Sequence, residues 1–179
     1  QIVRTSGNIV YTIAPNCDTY PNFTANGIDQ TIRVHKATTT GVPSGFTRMN
    51  SANEPNRAVG NAAALDSNDN IHVAWAARES SGLTRYLRYA IFNTSTDTWG
   101  SVTTIASDLD FDDIGQGEQV VSLVIDANDK AHIAYIGSAG SGATSAGRVR
   151  YRNNVSGSWA AATQIDSDVS YAGNFRAWH

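Results

Sequence analysis

The chain has 179 residues, of which 16% are charged, and a formal net charge of −3. That length suffices for one domain with a sizeable core, and the mild acidity argues against nucleic acid as a main partner, because phosphate binding needs a basic face. No apolar run approaches the roughly 18 residues of a membrane helix, and the lone Cys17 leaves neither a disulfide framework nor a cysteine-based metal site.

In chain order, Gln1-Ile-Val3 reads as the tail of a first strand. Gly7-Asn-Ile-Val-Tyr-Thr-Ile13 aligns with Asp69-Asn-Ile-His-Val-Ala-Trp75, and Ile32-Arg-Val34 aligns with Leu87-Arg-Tyr89. Phe46–Ser51 closes this first, loosely matched unit. The clearer copies follow. Leu65-Asp-Ser-Asn-Asp-Asn-Ile-His-Val-Ala-Trp75 returns 60 residues later as Ile125-Asp-Ala-Asn-Asp-Lys-Ala-His-Ile-Ala-Tyr135. Leu87-Arg-Tyr89 returns as Val149-Arg-Tyr151, and the segment opened by Trp99 returns at Trp159. Self-similarity at a fixed period sets the architecture before any propensity argument does.

Each unit predicts four strands. In the second and third units these are Val59–Leu65 and Gln119–Ile125, Ile71–Ala77 and Ala131–Ile136, Tyr86–Phe92 and Arg148–Asn153, and Val102–Ala106 and Ala162–Asp166. Asp66–Asn70 has the Asp/Asn chemistry of a tight hairpin turn. No stretch of ten residues carries a helical period. The expected fold is therefore all-β: a β-propeller or an open propeller segment of about three four-stranded antiparallel blades. One segment spans 1–179, with units near 1–51, 52–108 and 109–168, and 169–179 beginning a further or closing strand. About three blades leave two faces bare, so self-association or the remainder of a longer chain is expected to complete the ring.

The Asp-x-x-Asp-x-x-His-[Val/Ile]-Ala element, the [Leu/Val]-Arg-Tyr strand and the Trp before strand four resemble the sialidase-type, BNR-like propeller repeats of bacterial surface and phage proteins. The stricter pattern Ser-x-Asp-x-Gly-x-Thr-Trp is not present. The resemblance implies one of three things: a glycan-binding module, a glycoside hydrolase or a passive structural propeller. Asn, Thr, Ser, Ala and Gly dominate, and Lys36 and Lys130 are the only lysines. Such a composition is common in secreted and surface proteins. The leading expectation is a non-enzymatic module at an extracellular or virion surface, recognising a glycan or a surface protein. The alternatives are a sialidase-like glycoside hydrolase fragment and a purely structural repeat of a tail, fibre or sheath.

The candidate site residues follow from loop chemistry. The insertion Pro15–Asp29 offers Tyr20 and Phe23 to stack on a sugar ring, with Asp18 and Asn22 to accept its hydroxyls. It joins strands two and three, on the propeller face that also carries 51–57 and 108–118. Asp108, Asp110 and Asp112 alternate in an oxygen-rich run of the kind that suits calcium, although an EF-hand loop would need Gly at Asp113 and Glu at Gln119. The recurring His72 and His132 sit on equivalent strands, with sheets packing about 10 Å apart. They are expected to form structural hydrogen bonds between blades rather than converge on zinc. Arg33, Arg88 and Arg150 also recur, and are expected to face outward or pair with nearby Asp. Asn22, Asn93 and Asn154 open glycosylation sequons. No Gly-x-Ser-x-Gly elbow is present, and spacing alone cannot place two carboxylates for glycoside hydrolysis.

Overall fold

A computed structural model describes residues 1–17, 30–38, 45–48, 57–78, 85–109, 121–138 and 147–165. Among them lie strands and no helix. The first sheet holds β1 (Ile2–Arg4), β2 (Ile9–Cys17), β3 (Gln30–Thr38) and β4 (Gly45–Arg48), in that spatial order. The second holds β5 (Arg57–Leu65), β6 (Ile71–Arg78), β7 (Arg85–Asn93) and β8 (Thr98–Trp99), with β9 (Thr103–Ala106) also paired to β7. The third holds β10 (Val121–Ile125), β11 (Ala131–Ser138), β12 (Gly147–Asn153) and β13 (Thr163–Gln164). Every pairing is antiparallel, and apart from β9, which pairs back to β7, each sheet is a meander of consecutive strands. Among the described residues no sheet closes on itself. One detail differs from expectation. The Trp99 segment forms its own short strand opposite Phe92, and Thr103–Ala106 pairs separately, further along β7.

Side-chain alternation places two apolar layers between the sheets. Ile71, Val73 and Trp75 on β6 pack with Tyr11, Ile13, Ile32 and Val34 of the first sheet. Ala74 and Ala76 on the same strand, with Leu87 and Tyr89 on β7, pack with Leu123, Ala131, Ile133 and Tyr135 of the third. The second sheet is thus covered on both faces, which is why Ile71–Ala77 is buried without interruption. Full burial of a Val or Ile side chain contributes about 1.5–3 kcal/mol. The small Ala62, Ala74 and Ala76 leave room for the third sheet to approach.

Gly60, at φ 52°, sits in a bulge that shifts the β5–β6 register between Val59 and Asn61. An extra residue of this kind resets which side chains face inward. Asn61 then reaches across to the first sheet, its Nδ2 donating to the Ile13 carbonyl at 3.3 Å.

The hairpins entering β2, β6 and β11 share one construction. Asn8, Asp69 and Asp129 each donate their backbone N–H to the residue three back (Thr5, Asp66 and Asp126), at 3.0–3.1 Å. Each also has positive φ, at 63°, 63° and 59°, a left-handed conformation that Asn and Asp tolerate better than other side chains. This equivalence corrects the alignment of the first unit by one residue: Asn8, not Gly7, stands where Asp69 does. A one-residue slip moves every side chain of a strand to the other face. Tyr11 therefore corresponds to His72 rather than Val73, and both point toward the next sheet.

The registers also sort the connections. Leu65 pairs with Ile71, and Ile125 with Ala131, so the tight Asp turns share one end of the stack. At the opposite end Cys17 pairs with Gln30, Arg57 with Arg78, Arg78 with Arg85, and Ser138 with Gly147. The connections 18–29, 79–84 and 139–146 leave from that end, as do the sheet-to-sheet connections 49–56 and 110–120.

Candidate functional site

The strongest repeated chemistry is an Asp–His–Tyr chain inside each of the second and third sheets. Asp66 Oδ1 accepts the backbone N–H groups of Asn68 (2.9 Å) and Asn70 (2.8 Å), which fixes the turn. Its Oδ2 meets Asn70 Nδ2 at 2.9 Å and His72 Nε2 at 3.3 Å. His72 Nδ1 is hydrogen-bonded to the Tyr89 hydroxyl on the neighbouring strand. The third sheet repeats this chemistry. Asp126 Oδ1 accepts from Asn128 (2.8 Å) and Lys130 (2.9 Å), Oδ2 meets His132 Nε2 at 3.2 Å, and His132 Nδ1 meets the Tyr151 hydroxyl at 2.5 Å.

The electrostatics make His72 a neutral bridge. Burial holds its imidazole below the ordinary range, against the opposing pull of Asp66. Burial also pushes the Tyr89 hydroxyl well above its usual value, helped by the Asp66 charge, so Tyr89 stays a donor. Burial alone would raise Asp66. Hydrogen bonds from the Asn70 side chain and N–H, from His72 and from the Asn68 N–H outweigh it and hold the carboxyl below the usual range. Asp126 is lowered chiefly by the Lys130 N–H and by His132. Tyr–OH thus donates to Nδ1 and Nε2–H donates to the carboxylate, so both ring nitrogens are engaged. The histidines brace each sheet from within, rather than tying neighbouring sheets together as their spacing suggested.

The ties between sheets come from other residues. Asp69 accepts from Ser6 N (2.9 and 3.1 Å) and Ser6 Oγ (2.5 Å), joining the second turn to the first. Asp129 accepts from Ser67 N (2.7 Å) and Ser67 Oγ (2.6 Å), joining the third to the second. One Asp therefore serves both the left-handed turn position and a clasp to the preceding sheet. Lys36 Nζ, 2.7 Å from Asp97 Oδ2, adds an ion pair between the first and second sheets, and that hydrogen bond raises the lysine pKa. Trp159 of the third unit meets Tyr89 edge-on, with ring centroids 5.0 Å apart.

Asp108 is the one expected calcium ligand within the described residues. Its Oδ1 accepts from the Tyr135 hydroxyl at 3.3 Å, and its Oδ2 lies 3.3 Å from Arg150 Nη1. Asp110 and Asp112 lie outside the described residues, as do the expected sugar-binding Asp18, Tyr20, Asn22 and Phe23. Among the described residues no three His, Cys, Asp or Glu side chains gather as a metal-holding group.

Two of the recurring arginines serve the fold. Arg150 pairs with Asp108, as the sequence suggested for this set, and Gly137 makes room for it: a Cβ there would meet Arg150 Cδ at 2.5 Å. Arg88 donates to Thr104 Oγ1 on β9 and lies 4.8 Å from the Tyr86 ring centroid. Two of the sequon asparagines have structural roles, Asn93 in a turn and Asn154 in a tie to the start of β11. Asn93 Oδ1 accepts from Ser95 N and Thr96 N, both at 3.0 Å, and Asn154 Oδ1 accepts from Ala131 N at 2.7 Å.

Sequence reading found the repeating Asp, His and Tyr but not their connection, since nothing in spacing joins residue 72 to residue 89. In the corrected register of the first unit Thr5, Tyr11 and Val34 replace all three together, which marks the three as one set. No protein-family model and no curated protein sequence matches the chain.

Proposed function

We propose that the chain is a non-enzymatic, propeller-type repeat module of an extracellular or virion surface, recognising a glycan or another protein with the end that bears its long connections. The observation that carries this reading is the division of labour between the two ends of the stack. One end is fixed by Asp turns, clasps and His braces, which consume the conspicuous polar side chains in structural roles. At the other end the described strands run into the connections 18–29, 49–56, 79–84, 110–120 and 139–146, and connections are the usual location of binding residues on a rigid β scaffold. The meander order of each unit and the BNR-like motifs favour blades over other β architectures. A scaffold without a recognition surface, part of a tail, fibre or sheath, is the second reading. It is favoured by the repeated clasps, which order units without forming any site.

A glycan array tests the first reading. A defined sugar class should bind, and Tyr20→Ala or Phe23→Ala should weaken it by roughly two- to tenfold, since a stacked aromatic ring contributes about 0.5–1.5 kcal/mol. Silence on the array, together with no saturable binding to purified surface proteins, would leave the scaffold reading. Turnover of a bound glycoside would instead identify a hydrolase.

A further inference from the structure

The two inner junctions of the stack are built alike, and the stack's two outer faces carry the parts of a third. At each inner junction the far face of one sheet meets the near face of the next, with the first strand of the later sheet packed on the earlier one: β10 on β5, and β5 on β2 and β1. Leu123 and Ile125 on β10 pack with Ala62 and Ala64 on β5. The far face of the third sheet presents Val124 at the place of Ala64, and Val124 is 58% exposed. The near face of the first sheet presents Ile2 at the place of Leu123, and Ile2 is 73% exposed. The two faces thus hold large apolar side chains at the positions that meet inside the stack. The brace gives the same contrast: the side chain of His72, under the third sheet, is 4% exposed, whereas that of His132 is 24% exposed.

The clasp series adds a second observation. Ser6 and Ser67 each donate an N–H and a hydroxyl to an Asp with two oxygens. The next donor position is Ala127, which keeps the N–H and lacks the hydroxyl. The vacant acceptor position is Asn8, which has one side-chain oxygen and already takes Arg4 on it. A carbonyl oxygen has two lone pairs, so it can accept a second donor. Donor and acceptor have each lost one half of the clasp, and what remains, one N–H and one carbonyl oxygen, suffices for a single hydrogen bond.

We infer that two copies of this chain join head to tail, the near face of each first sheet seated on the far face of the other's third sheet, with Ile2 against Val124 and Ala127 N–H on Asn8 Oδ1. Two such contacts close six sheets about a twofold axis, within the four to eight blades of closed propellers. Thr12 and Arg4 stand where the inner junctions have apolar Val73 and Leu65, so this contact is more polar and dissociates on dilution. The inference takes its closure from the propeller reading and is independent of what ligand, if any, the long-connection end recognises.

The test is light scattering with a dilution series, followed by mixing. Wild type should give about twice the 19.1 kDa chain mass. Val124→Glu alone and Ile2→Lys alone should each stay monomeric at concentrations about 100-fold above the wild-type midpoint, with wild-type circular dichroism, since both positions are exposed. Mixed one to one, the two variants should recover the pair: one junction then joins Glu to Lys, and the other is wild type. A wild-type monomer at every concentration would overturn the inference. So would a dimer indifferent to both substitutions, a mixture that stays monomeric, or a ladder of masses that grows with concentration. A glycan array run on the monomeric Val124→Glu variant separates this outcome from that of the recognition reading.

Discussion

Removing one hydroxyl from each brace separates a buried network from a half-open one. Tyr89→Phe deletes the donor to His72 Nδ1 and keeps the ring that meets Trp159. The His72 side chain is 4% exposed, so water cannot replace the lost partner. An unpartnered buried acceptor costs about 1–3 kcal/mol. Tyr151→Phe removes the same group beside His132, whose side chain is 24% exposed. Water can take the vacant nitrogen there, and the cost should fall to about 0–1 kcal/mol. Both changes belong in the Ile2→Lys background, which leaves the far face of the third sheet open and puts no new charge opposite His132, the cross-strand partner of Val124. With a urea slope of about 1–3 kcal/mol/M, Tyr89→Phe should lower the midpoint by roughly 1 M and Tyr151→Phe by a small fraction of that. Equal losses, or a larger loss for Tyr151→Phe, would refute the view that burial by the neighbouring sheet sets the strength of the brace.

Three further outcomes follow from the same geometry. Because burial depresses the His72 pKa, the unfolded chain binds the proton first as pH falls. The stability contributed by neutral His72 is complete above about pH 6.5 and is lost as pH drops from there through the folded value. His72→Gln should flatten the denaturation midpoint against pH between about 6.5 and 5, above the range where the Asp66 carboxyl begins to protonate in the unfolded chain; an unchanged slope would assign the limb elsewhere. Asp69→Asn keeps a residue tolerant of φ 63° but leaves one acceptor oxygen for Ser6, so thermal unfolding should show a loss of about 0.5–1.5 kcal/mol. Gly137→Ala forces Arg150 off its course and away from Asp108, and should cost about 1–3 kcal/mol in urea; no loss would mean that the arginine re-seats without strain.

The sequence by itself determined the local structure. Period-two alternation in Ile71–Trp75 and Ala131–Tyr135, with Asp/Asn turns before them, specified antiparallel hairpins, because strand and turn chemistry act over neighbouring residues. It also determined the repeat, and with it the number of units. What it left open were the contacts between residues far apart in the chain. His72 with Tyr89, Asp69 with Ser6, and Asp108 with Arg150 are each unremarkable as separate letters, and only strand pairing and sheet stacking bring them within hydrogen-bonding distance. The one-residue offset of the first unit was ambiguous for the same reason. Gly7 and Asn8 are both good turn residues, and the positive φ of Asn8, with Tyr11 directed toward the second sheet, fixed the register. Tertiary structure likewise decided that two copies of one motif differ. The braces in the second and third sheets have the same Asp, His and Tyr, and their exposure depends on whether another sheet lies over them.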